Sequence, residues 1–72
     1  MGPGNLVIPR YSIPLWNVML GNQNSEEDYR RVVDRVEWGE MMCVLEVRDF
    51  TLRVLSPRGM TGWVHQTDLG EV

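Results

Sequence analysis

Apolar and polar positions alternate most regularly in the C-terminal half of the chain. "EMMCVLEVRD", residues 40–49, predicts a strand with Cys43, Leu45 and Val47 on one face and Glu46 and Arg48 on the other. On that phase Cys43 is a small core side chain. "FTLRVL", residues 50–55, predicts a second strand, with Leu52 and Val54 on one face and Thr51, Arg53 and Leu55 on the other. Only Asp49 and Phe50 separate the two runs, so they are expected to pair as a hairpin. Ser56, Pro57 and Gly59 then fill positions i, i+1 and i+3 of a type I turn, and "MTGWV", residues 60–64, is the returning strand. A three-stranded meander needs cover for its apolar face. The N-terminal half supplies it most simply by closing a small barrel.

That half is less regular. "NLVIPRYSIPLWNVML", residues 5–20, is apolar but carries Pro9 and Pro14. Prolines this close exclude a helix and a central strand, leaving an edge strand or an extended arm. "GNQNS", residues 21–25, is loop by composition. Residues 25–38 read two ways. Tyr29, Val32, Val33 and Val36 recur at helical spacing behind Ser25 as a cap, whereas β-branched valines favour a strand that puts Val32 opposite Val33. The whole chain, 1–72, is expected to be one domain, with residues 1–4 disordered and 20–30 a long loop.

Composition narrows the classes. A chain of 72 residues buries only about 60% of its unfolded surface and has no room for a deep cleft. The net charge is −3, and all seven basic residues are arginine. Residues 24–40 hold six acids against three arginines, which reads as a solvated surface. An acidic domain lacks general attraction for phosphates, so no nucleic-acid partner is expected. Clustering of Arg10, Arg30, Arg31 and Arg35 would reverse that. One cysteine allows no internal disulfide. No 18-residue apolar run and no basic, apolar leader occur, so neither a membrane partner nor a signal peptide is expected, and the location expected is the cytoplasm of a cell or an infected host.

From "RVVDRVEWGEMMCVLEVRDFTLRVLSPRGMTGWVHQTDL" the chain resembles the bacterial relatives of the SH3 domain. The resemblance lies in the Gly39-Glu40 turn, the "VLEV" strand at 44–47, the strand and tight hairpin at 52–59, and Gly62-Trp63-Val64 with a polar turn before Leu69. It implies an all-β fold: a small SH3-like five-stranded barrel of two packed sheets, with "QTD", residues 66–68, as a single 3-10 turn before a brief last strand. Peptide-binding members carry a proline and an aromatic residue after the Gly-x-apolar strand, where this chain has His65 and Asp68. Their paired tryptophans are replaced by Asp49 and Phe50, and the N-terminal half lacks the Arg-Ser-Gly segment of bacterial members. A polyproline ligand needs aromatic ridges. The resemblance therefore implies the barrel without proline-rich peptide specificity and without cell-wall peptide recognition.

No catalytic set emerges. His65 is the only histidine and reads as an exposed turn residue, Asp34, Glu37 and Glu40 lack calcium-loop spacing, and no phosphate loop, CxxC pair or Ser-His-Asp set occurs. No enzyme activity, cofactor or metal is expected. The aromatics point elsewhere, since exposed tryptophans are enriched at interface hot spots. Tyr11, Trp16, Trp38 and His65 are the candidate partner-binding residues. The function expected is a non-enzymatic protein–protein interaction module, a monomer or weak homo-oligomer. The alternative is a small structural subunit of a larger assembly, such as a phage particle.

Overall fold

A computed structural model describes residues 1–18 and 31–71. Seven strands are described: β1 (Leu6–Pro9), β2 (Ile13–Trp16), β3 (Val32–Val36), β4 (Met42–Arg48), β5 (Thr51–Leu55), β6 (Thr61–His65) and β7 (Leu69–Glu71). They form one antiparallel sheet in the order β3-β2-β6-β5-β4-β1-β7, curled into a half-barrel. A 3-10 turn, Gln66–Asp68, joins β6 to β7. The fold is all-β as expected, but with seven strands rather than five. The difference arises in the N-terminal half. The chain leaves the sheet after Pro9 and re-enters at Ile13, so one apolar segment supplies two strands in separate places.

Residues 32–36 form a strand, which settles that part of the ambiguous stretch. Val32 is exposed and Val36 buried. The pairing jumps from Leu15–Asp34 to Trp16–Val32, leaving Val33 as an extra residue packed against the core. The helical alternative for residues 25–30, and the expected loop at 20–30, lie outside the described residues. Residues 1–4, expected to be disordered, are in contact with the sheet: Gly4 N–H donates to Val44 O at 2.8 Å, and Met1 packs against the core.

The inner face holds the core: Val7, Ile13, Leu15, Val36, Met42, Val44, Leu52, Val54, Val64 and Leu69. Leu52 and Val54 point inward as their alternation predicts. In β4 the phase is the reverse of the expected one. Met42 and Val44 are buried, whereas Cys43 and Leu45 are only half-buried on the outer face. Residues 41–45 are apolar without interruption, so alternation gives no phase there. A bulge at Leu45 then places Leu45 and Glu46 together opposite Arg53 and turns Val47 back toward Leu52.

The prolines did not confine their strands to an edge. β2 lies between β3 and β6, and β1 between β4 and β7. Pro14 is tolerated because of where its missing N–H points. Its partner Arg35 directs both backbone groups away from β2: the N–H donates to Asp34 Oδ1 and the carbonyl accepts from Arg58. The Pro14–Arg35 pair is thus a non-bonded one, and Pro14's nitrogen faces β6. There the ladder is confined to a single pair, Trp16–Trp63. The same strands approach closely because β6 carries Gly62, where a Cβ would lie 2.7 Å from Leu15 Cβ.

Candidate functional site

The face opposite the core carries exposed apolar side chains on adjacent strands. Cys43 pairs on one side with Leu6 of β1 and on the other with Leu55 of β5, giving an aliphatic row across three strands. Leu6 is 48% exposed and Leu55 37%. Met41, two residues before Cys43 and 51% exposed, extends the row, and half-buried Leu45 continues it along β4. A second row runs from Arg53 of β5 through Trp63 of β6 to Trp16 of β2 and Val32 of β3. Both tryptophans are half-buried. Directly opposed side chains in such rows lie about 5 Å apart, so each row is a contiguous surface.

Charge surrounds the rows. Glu46 sits between two arginines, 2.6 Å from Arg48 Nε and 3.5 Å from Arg53 Nε. Arg35 is exposed at the other margin, on the outer side of β3 with Pro14.

A separate polar cluster ties two turns together. Arg58, in the turn between β5 and β6, donates from Nε to both oxygens of Asp34 at 3.0 Å, from Nη1 to Glu40 Oε2 at 2.7 Å and from Nη2 to Arg35 O at 2.6 Å. Ser56 prepares this turn. Its hydroxyl accepts the N–H groups of Arg58 and Met60, and Gly59 N–H donates to Ser56 O at 3.0 Å. The hydrogen bond from Ser56, aided by Arg58, holds Asp34 below the usual carboxylate range. Arg58 does the same for Glu40, and the two carboxylates raise Arg58 further above its ordinary value. One guanidinium thus joins β3 and the turn before β4 to the turn after β5, as a structural clamp.

The four residues singled out from the sequence fall in two regions. Trp16 lies on the outer face against Trp63, and His65 lies on the same face of β6, two residues beyond Trp63. Tyr11 sits beside the 3-10 turn that follows His65, where its hydroxyl donates to Asp68 Oδ1. That carboxylate raises the Tyr11 pKa above its ordinary value. Trp38 is elsewhere. It is 72% exposed in the turn before β4, whose Glu40 is held by Arg58. His65 pairs with Thr51 at the start of β5, whereas Arg58 follows the end of β5. A five-residue strand spans roughly 13 Å, so Trp38 and His65 belong to opposite ends of the sheet.

The aliphatic row was missed in the sequence. Its one signal was Leu55, a leucine on the otherwise polar side of "FTLRVL" with Thr51 and Arg53. Of the arginines named as a possible cluster, Arg10 donates to Leu69 O, Arg31 immediately precedes β3 and Arg35 lies on β3; Arg30 lies outside the described residues. Among the described residues, no three His, Cys, Asp or Glu side chains come together to hold a metal, and no helix is long and apolar enough to cross a membrane. Neither a protein-family model, nor a curated protein, nor a solved structure matches the chain.

Proposed function

We propose that this chain is a non-catalytic module, an SH3-like barrel domain of the bacterial kind, that binds a protein partner through the outer face of its sheet. The observation that carries the reading is the row Leu6–Cys43–Leu55, exposed on the side away from the core. Contiguous apolar surface of this kind on a small domain marks an interaction site. The order of hairpin, returning strand, 3-10 turn and short last strand supports the SH3-like part of the reading. Asp34 and Glu40 are both engaged by Arg58, which gives these carboxylates a structural role in the reading.

The second reading, a structural subunit of a larger assembly, draws on the same apolar face with a second copy as its occupant. Among the described strands, the outermost edges give it no help at two positions. Arg58 covers Arg35 O on β3, and Arg10 Nε donates to Leu69 O at 3.1 Å on β7. Arg10 N–H donates to Asp68 O, so the next pair, Pro9–Leu69, is non-bonded and that carbonyl faces the free edge.

Sedimentation equilibrium separates the two. A monomer across the micromolar range, unchanged by Leu55→Glu, is the result expected for a module. Concentration-dependent self-association that Leu55→Glu abolishes would replace it with the assembly subunit.

A further inference from the structure

We propose that the outer face takes a partner segment that carries aliphatic side chains and carboxylates together. The proposal rests on the reading of this face as the docking surface, and it names the chemistry of what docks.

Charge carries the argument. Among the described residues, the ionic side chains on the outer face of the strands are Arg35, Arg48 and Arg53 against Glu46, a net of +2. The chain as a whole is −3. Among the described strand residues, the outer face is therefore net positive although the chain as a whole is negative, and the aliphatic row lies on that face. Glu46 is shared between Arg48 and Arg53, which leaves one arginine charge in excess beside Leu45 and Leu55. A partner that covers Leu6, Cys43 and Leu55 desolvates that charge, and an opposing carboxylate offsets the cost.

Spacing sharpens it. Arg53 and Leu55 are two residues apart on one side of β5, about 7 Å. An extended segment lying along β5 matches them with a carboxylate and an aliphatic residue at i and i+2. A second copy of this face fits worse, because it sets +2 against +2. A nucleic acid finds the arginines but gains nothing from the aliphatic row, and the −3 chain repels it at long range.

The test is selection of a phage-displayed random dodecapeptide library on the immobilised full chain. The expected pool is enriched in Asp or Glu two residues from Leu, Ile, Val or Phe. A synthetic copy of the leading peptide is expected to lose at least tenfold in affinity on Leu55→Glu and on Arg53→Glu, and a version with Lys for its acids is expected to bind Arg53→Glu better than the parent chain. Both positions are exposed, and each variant is checked by its melting curve, with Leu55→Ser and Arg53→Gln replacing any that fails to fold.

Uncharged apolar peptides that respond to Leu55→Glu but not to Arg53→Glu overturn the partner chemistry and leave the docking face standing. Peptides that bind Leu55→Glu as tightly as the parent, or no enrichment at all, overturn both. Basic peptides, or an oligothymidylate that binds more tightly than every selected peptide, overturn the proposal as well.

Discussion

Arg58 Nη2 donates to the backbone carbonyl of Arg35 at 2.6 Å, so a side chain from the β5–β6 turn occupies a place on the edge of β3 that a neighbouring strand would otherwise take. The same guanidinium holds Asp34 and Glu40, and the three acceptors come from β3 and from the turn that leads into β4. One residue therefore links β3 to β5–β6 and β4 where the strands themselves are not paired. An open edge carbonyl is a template for pairing with another chain, and natural sheets block such edges with charge.

Replacing Arg58 with methionine keeps the aliphatic stem and removes every one of these bonds. The melting temperature is expected to fall, and light scattering is expected to show association that grows with concentration. Lysine restores the charge but not the forked geometry that reaches two carboxylates and a carbonyl at once. Arg58→Lys is therefore expected to recover only part of the loss. A methionine variant that melts with the parent and stays monomeric would show that the clamp contributes nothing.

The same clamp sets the response to acid. Asp34 and Glu40 have folded-state pKa values below their unfolded ones. Their contribution to stability is present above the unfolded values, about 4, and is lost as pH falls through the lower folded values. Urea midpoints measured between pH 6 and pH 2 are expected to drop below about pH 4. Asp34→Asn is expected to be less stable near pH 6 and to lose less on acidification. Tyr11 acts in the opposite direction: its pKa is raised, so its contribution holds below its unfolded value of about 10 and fades as pH rises through the folded value.

Gly62 is expected to tolerate no side chain. A Cβ there would stand 2.7 Å from Leu15 Cβ, 3.1 Å from Trp16 O and 3.1 Å from Val33 Cγ2. Two of these are fixed parts of β2, and none is the free end of a long side chain. Gly62→Ala is expected to destabilise the chain by roughly 1–3 kcal/mol, the range of overpacked cores. In a domain of this size a change of about 1 kcal/mol moves the melting temperature by about 4–8 °C, which a thermal scan resolves. Separation of β2 from β6 in the variant would also change the environment of Trp16 and Trp63, readable in tryptophan fluorescence.

The sequence was most legible where alternation and turn chemistry agreed. "FTLRVL" alternates up to Leu55, and Leu52 and Val54 are in the core. Ser56-Pro57-Arg58-Gly59 carries its own turn signals, and Gly59 N–H closes it onto Ser56 O. Legibility failed where residue type carries no phase. Five consecutive apolar residues at 41–45 permit either face inward, and the choice of Met42 and Val44 comes from their pairing with Val7 and Val54. That choice pushes Cys43 outward and creates the aliphatic row, so the candidate site was hidden by the same ambiguity. The prolines misled for a different reason. Whether a proline is compatible with an interior strand depends on which side its nitrogen faces, and that is set by Arg35, twenty-one positions further along the chain from Pro14.

Asp49 offers the cleanest test of the hairpin that presents Arg48, Arg53 and Leu55. It is the described non-glycine residue with a left-handed backbone, at φ 54°, in the two-residue turn between Arg48 and Thr51. Aspartate and asparagine visit this region more readily than other side-chain-bearing residues, because a short polar side chain can bond locally to the backbone. Alanine has no such side-chain option and is expected to cost about 1 kcal/mol. Valine, branched at Cβ, is expected to cost more, and glycine to match or exceed the parent, its freedom at positive φ offset by greater entropy in the unfolded chain. Urea unfolding of the four variants Asp49→Gly, Asp49→Asn, Asp49→Ala and Asp49→Val is expected to rank them in that order, with unchanged slopes. An alanine variant as stable as the parent would mean that the turn relaxes to negative φ at no cost. The register Arg48–Thr51 would then be held by the strands alone and not by the turn.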